Sequence, residues 1–397
     1  MNGVNGGDMP VLAVSESSGT LAADEKKTKT ESKELPAFRP VDLDAFPEVD
    51  GLLHRLGFGA FVRDSMSAPV GRNHAWSGRT ESGRRVFVKR LVGTAPDVQA
   101  RMRRMLTFED FVGGVPELVG HVPPLLGYDR DAGLVAFDHV TARSGAELMV
   151  DETFGKDLAF AVGQKVGALH ATATTGGMDT TLPALPDPVL LQALPLAMYN
   201  EVSFAELEAW RLMQHDAGLR EGLERLRKWE DEAPRVPSHC DFRVDQLLVL
   251  DDGFPVIADW EEFRSADPAR DVGAFAGEWL YRSVLDIVTN RGDGDVQFPD
   301  VELTHEQVLA RGAEKIERLL PLVRHFWLGY LTRHEADPGF SERATAFAGW
   351  HLLDRLVAGA AQGQRLSGIE RAAAGIGRGA LITPHRFAAV LGFEETQ

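Results

Sequence analysis

The sequence predicts an α+β protein of two lobes, with a small antiparallel sheet in the N-lobe and mostly helices in the larger C-lobe. Short β-prone runs separated by Gly-containing turns fill residues 57–92. After residue 140, apolar residues instead recur three and four positions apart, as they do in amphipathic helices. A chain of 397 residues also exceeds what one hydrophobic core usually serves. We therefore expect a disordered tail over 1–37, an N-lobe over 38–140 and a C-lobe over 141–397.

The overall charge is acidic, with 42 Lys and Arg against 59 Asp and Glu, which gives a formal charge of −17. An acidic body repels phosphate backbones, so we expect no nucleic-acid partner. A cationic peptide or polyamine is a better electrostatic match. Acidity that only keeps the protein soluble explains the charge equally well.

Cysteine and apolar content indicate a cytoplasmic protein that does not enter a membrane. The single cysteine, Cys240, excludes a disulfide framework and any cysteine-rich zinc or iron–sulfur site. A metal ion would therefore need oxygen or imidazole ligands. The longest apolar runs, such as Leu319–Val323, are far shorter than the roughly 20 residues that cross a bilayer. The apolar stretch Pro10–Val14 is too short for the core of a signal peptide.

The N-lobe elements follow from composition and periodicity. Residues 1–35 are rich in Gly, Ser, Lys, Thr and Glu and offer too little apolar surface to offset their chain entropy. An amphipathic helix is expected next, followed by strands, one further helix that begins at Pro96 and Asp97, and two more strands. The predicted segments are Phe38–Leu56 (helix), Arg85–Leu91 (strand), Pro96–Phe111 (helix), and Leu125–Tyr128 and Leu134–Val140 (strands).

The C-lobe is expected to be helical except for one hairpin. The hairpin arms are Val236–Leu250 and Phe254–Trp260, joined by Asp251-Asp252-Gly253. The Asp- and Gly-rich segment 290–304 lacks the spaced ligands and final Glu of an EF-hand, so we interpret it as a solvated loop. The predicted helices are Leu158–Thr172, Phe204–Gln214, Leu219–Trp229, Ala269–Val288, His305–Thr332 and Glu342–Gln364.

The residues that indicate chemistry lie in the hairpin segment 238–261. Asp241 and Gln246 are five positions apart, and Asp259 follows 18 positions after Asp241 on the return strand. A loop and a neighbouring strand end would bring a carboxylate base, an amide oxygen and a second carboxylate together. Phosphoryl transfer from ATP needs that set, because a hydroxyl must be oriented and Mg²⁺ takes hard oxygen ligands.

These segments resemble the aminoglycoside phosphotransferase and choline kinase group, a branch of the protein-kinase-like fold. The resemblance is carried by His239-Cys240-Asp241, by Ile257-Ala258-Asp259-Trp260-Glu261 and by Asp267-Pro268-Ala269-Arg270-Asp271. Leu169-His170-Ala171 resembles the helix that precedes the family's catalytic loop. The match covers residues 65–280 and implies a bilobal kinase fold that uses ATP and Mg²⁺.

The resemblance also implies roles in the C-lobe. Asp241 would orient or deprotonate the acceptor hydroxyl, and Arg243 would hold the transferred phosphoryl group with its two-pronged guanidinium. Asp259 would bind Mg²⁺ together with Gln246, which stands where the family has the shorter Asn. His239 would organise the loop.

Two further C-lobe residues are interpreted structurally. Cys240 replaces a common Gly and is expected to be a buried small side chain, not a nucleophile. Asp271 would accept hydrogen bonds from loop amides, or alternatively cap a helix.

The nucleotide side would come from the N-lobe. Lys89 aligns with the strand lysine that contacts phosphates in this fold, and Glu109 on the following helix is the expected ion-pair partner, with Glu117 as a rival. The segment Gly71–Gly78 is expected to be a nucleotide-covering loop whose Arg72 and Asn73 touch phosphates. Strand residues Val135–Val140, which include Phe137 and His139, are expected to form the hinge that meets adenine.

Three hypotheses about the acceptor remain open at this point. Residues 71–74, 87–91, 239–246 and 259–271 resemble the kinase subunit of class V lanthipeptide synthetases, which implies phosphorylation of peptide Ser and Thr before a separate lyase eliminates phosphate. The second hypothesis is a small-molecule kinase, such as one acting on an aminoglycoside. The third is a nucleotide-binding pseudokinase that serves as a scaffold.

Overall fold

Two lobes carry the candidate site between them, in a computed structural model that describes residues 41–69, 71–118, 120–183, 185–289, 304–363 and 365–393. The side chains of Glu117 and Gln362 are not described. The expected tail over 1–37 and the segment 290–303 lie outside these ranges. All described residues belong to one compact unit.

The N-lobe is built on a four-stranded antiparallel sheet with the strand order β1-β2-β4-β3. The sheet lies between two helices, which cover its opposite faces. Each helix begins with a proline in its first turn, where the missing N–H costs nothing. The elements are α1 (Pro47–Arg55), β1 (His74–Arg79), β2 (Arg85–Arg90), α2 (Ala95–Gly113), β3 (Leu125–Asp129) and β4 (Leu134–Asp138).

Alternation along β2 decides where its lysine points. Val86 and Val88 are fully buried and pack in the cluster that includes α1. Because successive strand residues face opposite sides, Lys89 lies on the other face, which α2 covers. Its cross-strand neighbour there is Val135 on β4, which packs against Met102 of α2. Lys89 therefore projects between the sheet and α2, towards the C-lobe.

The C-lobe is a packed set of helices with short strand pairs at its edge. A large hydrophobic cluster joins most of these helices into one core. The elements are β5 (Arg143–Ser144), α3 (Gly145–Val150), α4 (Lys156–His170), α5 (Leu196–Glu201), α6 (Phe204–Gln214), α7 (Ala217–Glu232), β6 (Val236–Ser238), β7 (Leu247–Val249), β8 (Pro255–Ile257), β9 (Arg264–Ala266), α8 (Ala269–Leu285), α9 (His305–Leu331), α10 (Phe340–Gln362), α11 (Gly368–Ile382) and α12 (Pro384–Leu391).

The predicted α+β class and the division into a strand-rich and a helical part are confirmed. The expected hairpin is only partly correct. Its turn lies at Gly253, with β7 pairing with β8, but β6 pairs with β9 instead of continuing into β7. The chain between β6 and β7 is a loop, since Asp271 and Gln246 take up its backbone amides. Helices α3, α5, α11 and α12 were not predicted.

Among the described residues, no helix is both long enough and apolar enough to span a membrane.

Close helix packing holds the C-lobe core at α4 and α9. A Cβ added to Gly163 would lie 1.9 Å from the carbonyl oxygen of Phe326, and one added to Gly329 would lie 2.1 Å from that of Phe160. These glycines therefore let two backbones approach more closely than any side chain permits.

We predict that Gly163→Ala lowers the free energy of unfolding by about 2–3 kcal/mol, because the new methyl group must push α4 away from α9. Gly375→Ala is the matched control, since Gly375 is exposed in α11 with no heavy atom within 4 Å of its added Cβ. That change should stabilise by about 0.5–1 kcal/mol through helix propensity. Urea unfolding of both variants measures the difference, and equal effects would contradict the close approach.

Candidate active site

The loop 239–243 is held by hydrogen bonds from its backbone to Asp271 at the start of α8. One carboxylate oxygen of Asp271 accepts the N–H of His239 at 2.7 Å, and the other accepts that of Cys240 at 2.8 Å. His170 Nε2 lies 3.1 Å from the same carboxylate. Burial alone would raise the pKa of Asp271, but the hydrogen bond and charge of His170 outweigh it and lower the pKa. The prediction that Asp271 accepts loop amides is confirmed.

Cys240 occupies a backbone conformation that usually selects glycine. Its φ is +67°, in the left-handed region, which a residue without a Cβ adopts with the least strain. The side chain is buried, and burial raises the pKa of its thiol well above the ordinary value. A thiol that stays protonated is a poor nucleophile. The expectation of a buried, unreactive cysteine agrees with this geometry.

Asp241 lies on the loop, and its side chain is 44% exposed. Gln246 and Arg243 lie beside it. Gln246 Nε2 donates to Asp241 Oδ2 at 3.3 Å, while Gln246 Oε1 accepts the N–H of Arg243 at 3.0 Å. The Arg243 side chain lies between two acids, with Nε 3.8 Å from Asp241 Oδ1 and 3.5 Å from Asp245 Oδ1. Removal from bulk water raises the pKa of Asp241, and the charges of Arg243 and His239 oppose this only in part.

His239 connects the loop to the neighbouring strand. Its Nε2 lies 2.9 Å from the carbonyl oxygen of Ala258, so Nε2 carries the proton and donates it. The ring packs at 4.5 Å from that of Trp260 and is almost completely buried. This supports the interpretation that His239 organises the loop.

Lys89 crosses from the N-lobe to two carboxylates that follow β8. Its ammonium group contacts Asp259 directly and lies 2.7 Å from Glu261 Oε2. Asp259 has a left-handed φ of +70°, which turns its side chain out of the strand direction. Burial alone would lower the pKa of Lys89, but the two carboxylates raise it, so the amine remains a cation. Burial would raise the pKa of Asp259, and Lys89 instead lowers it.

Helix α2 supplies arginines to the same turn. Arg101 Nη1 lies 3.3 Å from Glu261 Oε1, and Arg104 Nη1 donates to Glu262 Oε2 at 3.0 Å. One turn after Arg104 on α2, Phe108 stacks on Trp260 with ring centres 3.8 Å apart. The helix is thus fixed to the segment that holds Asp259.

The sequence matches the model of one protein family over residues 73–295, and that family is described as the phosphotransferase enzyme family. The match covers more than half of the 397 residues. The chain belongs to this phosphotransferase enzyme family. It is an ATP-dependent phosphotransferase, which confirms the enzyme class predicted from the sequence.

Several proteins of known structure are similar to this phosphotransferase. A choline kinase, LicA from Streptococcus pneumoniae, is 13% identical with a TM-score of 0.46, covering 86% of this chain and 99% of that chain. Amicoumacin kinase hAmiN, in complex with AMP-PNP, Ca²⁺ and Ami, is 12% identical with a TM-score of 0.49, covering 85% and 96%. A spectinomycin phosphotransferase with ADP and spectinomycin is 15% identical with a TM-score of 0.46, covering 87% and 97%. No curated protein sequence matches significantly.

The segment Gly71–Gly78, predicted as a nucleotide-covering loop, is partly a strand in the structure. His74–Gly78 are part of β1, and the turn that joins β1 to β2 is residues 80–84, with Gly83 at a φ of +83°. The Arg72 side chain is 65% exposed and lies 3.5 Å from Asp97. Its contact with phosphates stays a prediction.

The side-chain amide of Asn73 is hydrogen-bonded to protein groups at both its nitrogen and its oxygen. Its amide nitrogen lies 3.1 and 3.3 Å from the two oxygens of Glu261. Its amide oxygen accepts from the N–H of Val92 and from Arg101, each at 3.1 Å. Asn73 thus contacts Glu261 in this structure, and its contact with phosphates stays a prediction.

The segment Val135–Val140, which is the predicted hinge, begins within strand β4. Backbone pairing with β2 and β3 covers Val135, Ala136 and Phe137, because β4 is an interior strand. The N–H of His139 donates to the carbonyl oxygen of Arg85 at 3.2 Å. The Phe137 side chain packs with the cluster under α2. Adenine contact by Val135–Val140 remains a prediction.

The expected ion pair between Lys89 and Glu109 is not formed. Lys89 is satisfied by Asp259 and Glu261, while the side chain of Glu109 makes no hydrogen bond or ion pair within the described residues. The face of α2 that meets the C-lobe carries Arg101 and Arg104, which need acids opposite them. Burial, followed by the charge of Asp110, raises the pKa of Glu109 to about 7.

The residues present fit a magnesium ion that is held mainly by nucleotide. Within the described parts of the chain, no group of three or more His, Cys, Asp or Glu side chains is arranged as a metal site. Mg²⁺ typically takes one or two carboxylates and completes its shell with phosphates and water. Asp259 offers a carboxylate, and Gln246 Oε1 has a second lone pair beyond its bond to Arg243 N–H.

Glu261, Arg101 and Arg104 were missed by the sequence reasoning. Two signals could have identified them. Arg101 and Arg104 are three positions apart on one face of α2, beside the apolar positions of Met102 and Met105. Consecutive acids after Asp259 then require cationic partners if the segment is buried.

We predict that Glu109→Gln raises stability at pH 8 but not at pH 5. The folded pKa of about 7 lies above the ordinary 4.5, so the fold binds a proton more tightly than the unfolded chain does. Wild-type stability should fall as the pH rises from 4.5 to 7, by at most about 3 kcal/mol. The neutral glutamine removes that loss. Urea unfolding at both pH values measures it, and a pH-independent effect would contradict the raised pKa.

Proposed function

We propose that the chain transfers the γ-phosphoryl group of ATP to a hydroxyl group in the space above Asp241. The observation that carries this proposal is the direct contact of Lys89, from the N-lobe sheet, with Asp259 from the C-lobe. A cation for phosphates and a carboxylate for a metal ion thus meet at one point. Asp241 lies on the neighbouring loop, whose His239 contacts the carbonyl oxygen of Ala258, the residue before Asp259.

The chemical step needs a base, phosphate-binding cations and little else from the protein. Asp241 would orient the acceptor O–H and take its proton as the oxygen attacks the γ-phosphorus. The bond from that phosphorus to the β,γ-bridging oxygen breaks, leaving ADP and a phosphate monoester. Lys89 would bind α- and β-phosphate oxygens, and Arg243 would bind the transferred group. A raised pKa makes Asp241 a better proton acceptor.

Asp259 and Gln246 would hold Mg²⁺, which when bound neutralises charge that develops on the phosphate oxygens. His239 and Asp271 hold the loop in place. Asp241 therefore loses little conformational entropy when it orients the acceptor hydroxyl.

For the acceptor we propose Ser and Thr hydroxyls of a ribosomally made precursor peptide in the cytoplasm. The support is the resemblance of the segments around Arg243 and Gln246 to peptide kinases of lanthipeptide synthesis. An Asp241 side chain that is 44% exposed also suits a hydroxyl presented on an extended chain. A partner lyase would then remove the α-proton and expel phosphate, which leaves dehydroalanine or dehydrobutyrine.

A small hydroxylated metabolite, such as an aminoglycoside, is the second candidate. The formal charge of −17 is compatible with it, because an acidic protein attracts a polycationic antibiotic as it attracts a cationic peptide. The scaffold hypothesis loses its basis, since the family consists of enzymes and Lys89, Asp241 and Asp259 are all retained.

Mass spectrometry separates the two acceptors. The protein is incubated with ATP and Mg²⁺ together with either a Ser- and Thr-containing precursor peptide encoded nearby or a panel of aminoglycosides. Mass gain of one phosphoryl group on the peptide alone supports the peptide proposal. Mass gain on an antibiotic and never on a peptide would reject it in favour of the second candidate.

We predict that Asp241→Asn lowers the rate of phosphoryl transfer by about 10²–10⁴-fold, because the amide cannot accept the hydroxyl proton. Nucleotide affinity should change little, since Lys89 and Asp259 remain. Asp245→Asn is the matched control, as Asp245 is an exposed acid on the same loop that also lies beside Arg243. It should retain most of the wild-type rate. Equal rates in the Asp241 variant and the wild type would overturn the assignment of the base.

A further inference from the structure

Glu261 is the most heavily contacted carboxylate near the candidate nucleotide site. Its side chain is only 6% exposed. One oxygen, Oε2, lies 2.7 Å from Lys89 Nζ and 3.1 Å from Asn73 Nδ2. The other oxygen, Oε1, lies 3.3 Å from Arg101 Nη1 and also 3.3 Å from Asn73 Nδ2. Both oxygens are thus saturated by donors that come from the N-lobe.

The donors around Glu261 are themselves held in place. Arg101 is completely buried, and its Nη2 donates to the carbonyl oxygen of Val92 and pairs with Asp97 at 2.9 Å. Asn73 accepts from the N–H of Val92 and from Arg101. The short connection from β2 to α2 therefore fixes the positions of both side chains. Such support is what keeps a charged group within a fraction of an ångström of its working position.

The two acids that contact Lys89 would behave differently when a nucleotide binds: one would give up its contact with Lys89 and the other would keep it. Asp259 would turn to a metal ion, and its contact with Lys89 would be given up to phosphate oxygens. Glu261 has no such alternative, because Arg101 and Asn73 already occupy it. An ammonium group has three N–H donors, so Lys89 can keep one on Glu261 and offer the others to phosphates.

We propose that Glu261 is the positioning residue of Lys89, and that Arg101 and Asn73 hold Glu261 for that purpose. This inference rests on the proposed function, since it assigns a role at the same nucleotide site. It makes α2 a source of arginine for this site, while the acid that orients the strand lysine comes from the turn after β8. Glu261 acts only through Lys89 and touches no reacting atom.

The chain offers a matched control in the next residue. Glu262 also pairs with an α2 arginine, since Arg104 Nη1 lies 3.0 Å from its Oε2. That ion pair joins the same two elements, but Glu262 has no contact with Lys89 within the described residues. If the acids serve only to join α2 to the C-lobe, neutralising either one should have the same effect.

The test compares Glu261→Gln with Glu262→Gln in the full-length protein. Titration with Mg·ATP by calorimetry gives the dissociation constant, and steady-state assays give kcat/KM for ATP and KM for the acceptor. We expect Glu261→Gln to weaken ATP binding and kcat/KM for ATP by about 10–100-fold, with the acceptor KM unchanged. Glu262→Gln should stay within about threefold of wild type in these quantities.

A double-mutant cycle separates positioning from a structural role. In a Lys89→Met background, Glu261→Gln should cause no further loss of ATP affinity, because the residue through which it acts is gone. Equal losses in the two glutamine variants, or an undiminished loss in the Lys89→Met background, would overturn the proposal. If Glu261→Gln fails to fold, Asn73→Ser, which removes one holder of Glu261, gives the same comparison.

Failure of the inference and failure of the proposed function give different results. A wild-type protein that does not bind Mg·ATP at all would contradict the proposed function. A wild-type protein that binds Mg·ATP while its affinity is indifferent to Glu261→Gln would contradict only the positioning role.

Discussion

A buried group of charges, composed of Lys89, Asp259, Glu261 and Arg101, joins the two lobes of the protein. Two cations from the N-lobe face two carboxylates from the C-lobe, so the group has no net formal charge. Balance is needed because an unpaired charge in such a place costs several kcal/mol, and removing one partner of a buried pair typically costs about 3–5 kcal/mol. The balance also holds the groups that a nucleotide needs at one point.

The C-lobe side of this group is held in conformations that only local contacts can maintain. Asp259 and Cys240 both have left-handed backbones, at φ values of +70° and +67°. Such residues persist only where the surroundings determine them fully. Asp271 provides this for the loop, and a chain of hydrogen bonds from Asp271 through His170 and Tyr330 extends the support to α9. Helix α9 in turn packs on α4 at glycine contacts, so the core and the loop depend on one another.

Much of this arrangement follows from local sequence. The β2 strand with Lys89 and the spacing of Asp241, Gln246 and Asp259 predicted which residues meet, because alternation in strands and turn lengths act locally. The sequence does not show which of several acids pairs with a given cation. Glu109 and Glu261 are both acids at plausible separation from Lys89, and only the direction in which α2 presents Arg101 and Arg104 decides between them.

The same limitation explains the N-lobe differences. Residues 74–78 have the Gly and polar content of a loop, yet cross-strand pairing with β2 makes them a strand. The predicted hinge Val135–Val140 includes residues of β4, whose interior position in the sheet cannot be read from its apolar sequence. Sheet order is a tertiary property, so backbone groups that appear free in the sequence are taken up in the fold.

On this account, Lys89 and Asp259 together bind a nucleotide that carries a metal ion. A crystal structure with a non-hydrolysable ATP analogue and Mg²⁺ tests it most directly. The account predicts that Lys89 Nζ leaves Asp259 for phosphate oxygens while it keeps Glu261, and that the Asp259 carboxylate contacts the metal ion. An analogue that binds outside the cleft, or one that binds while Lys89 remains paired with Asp259, would contradict it.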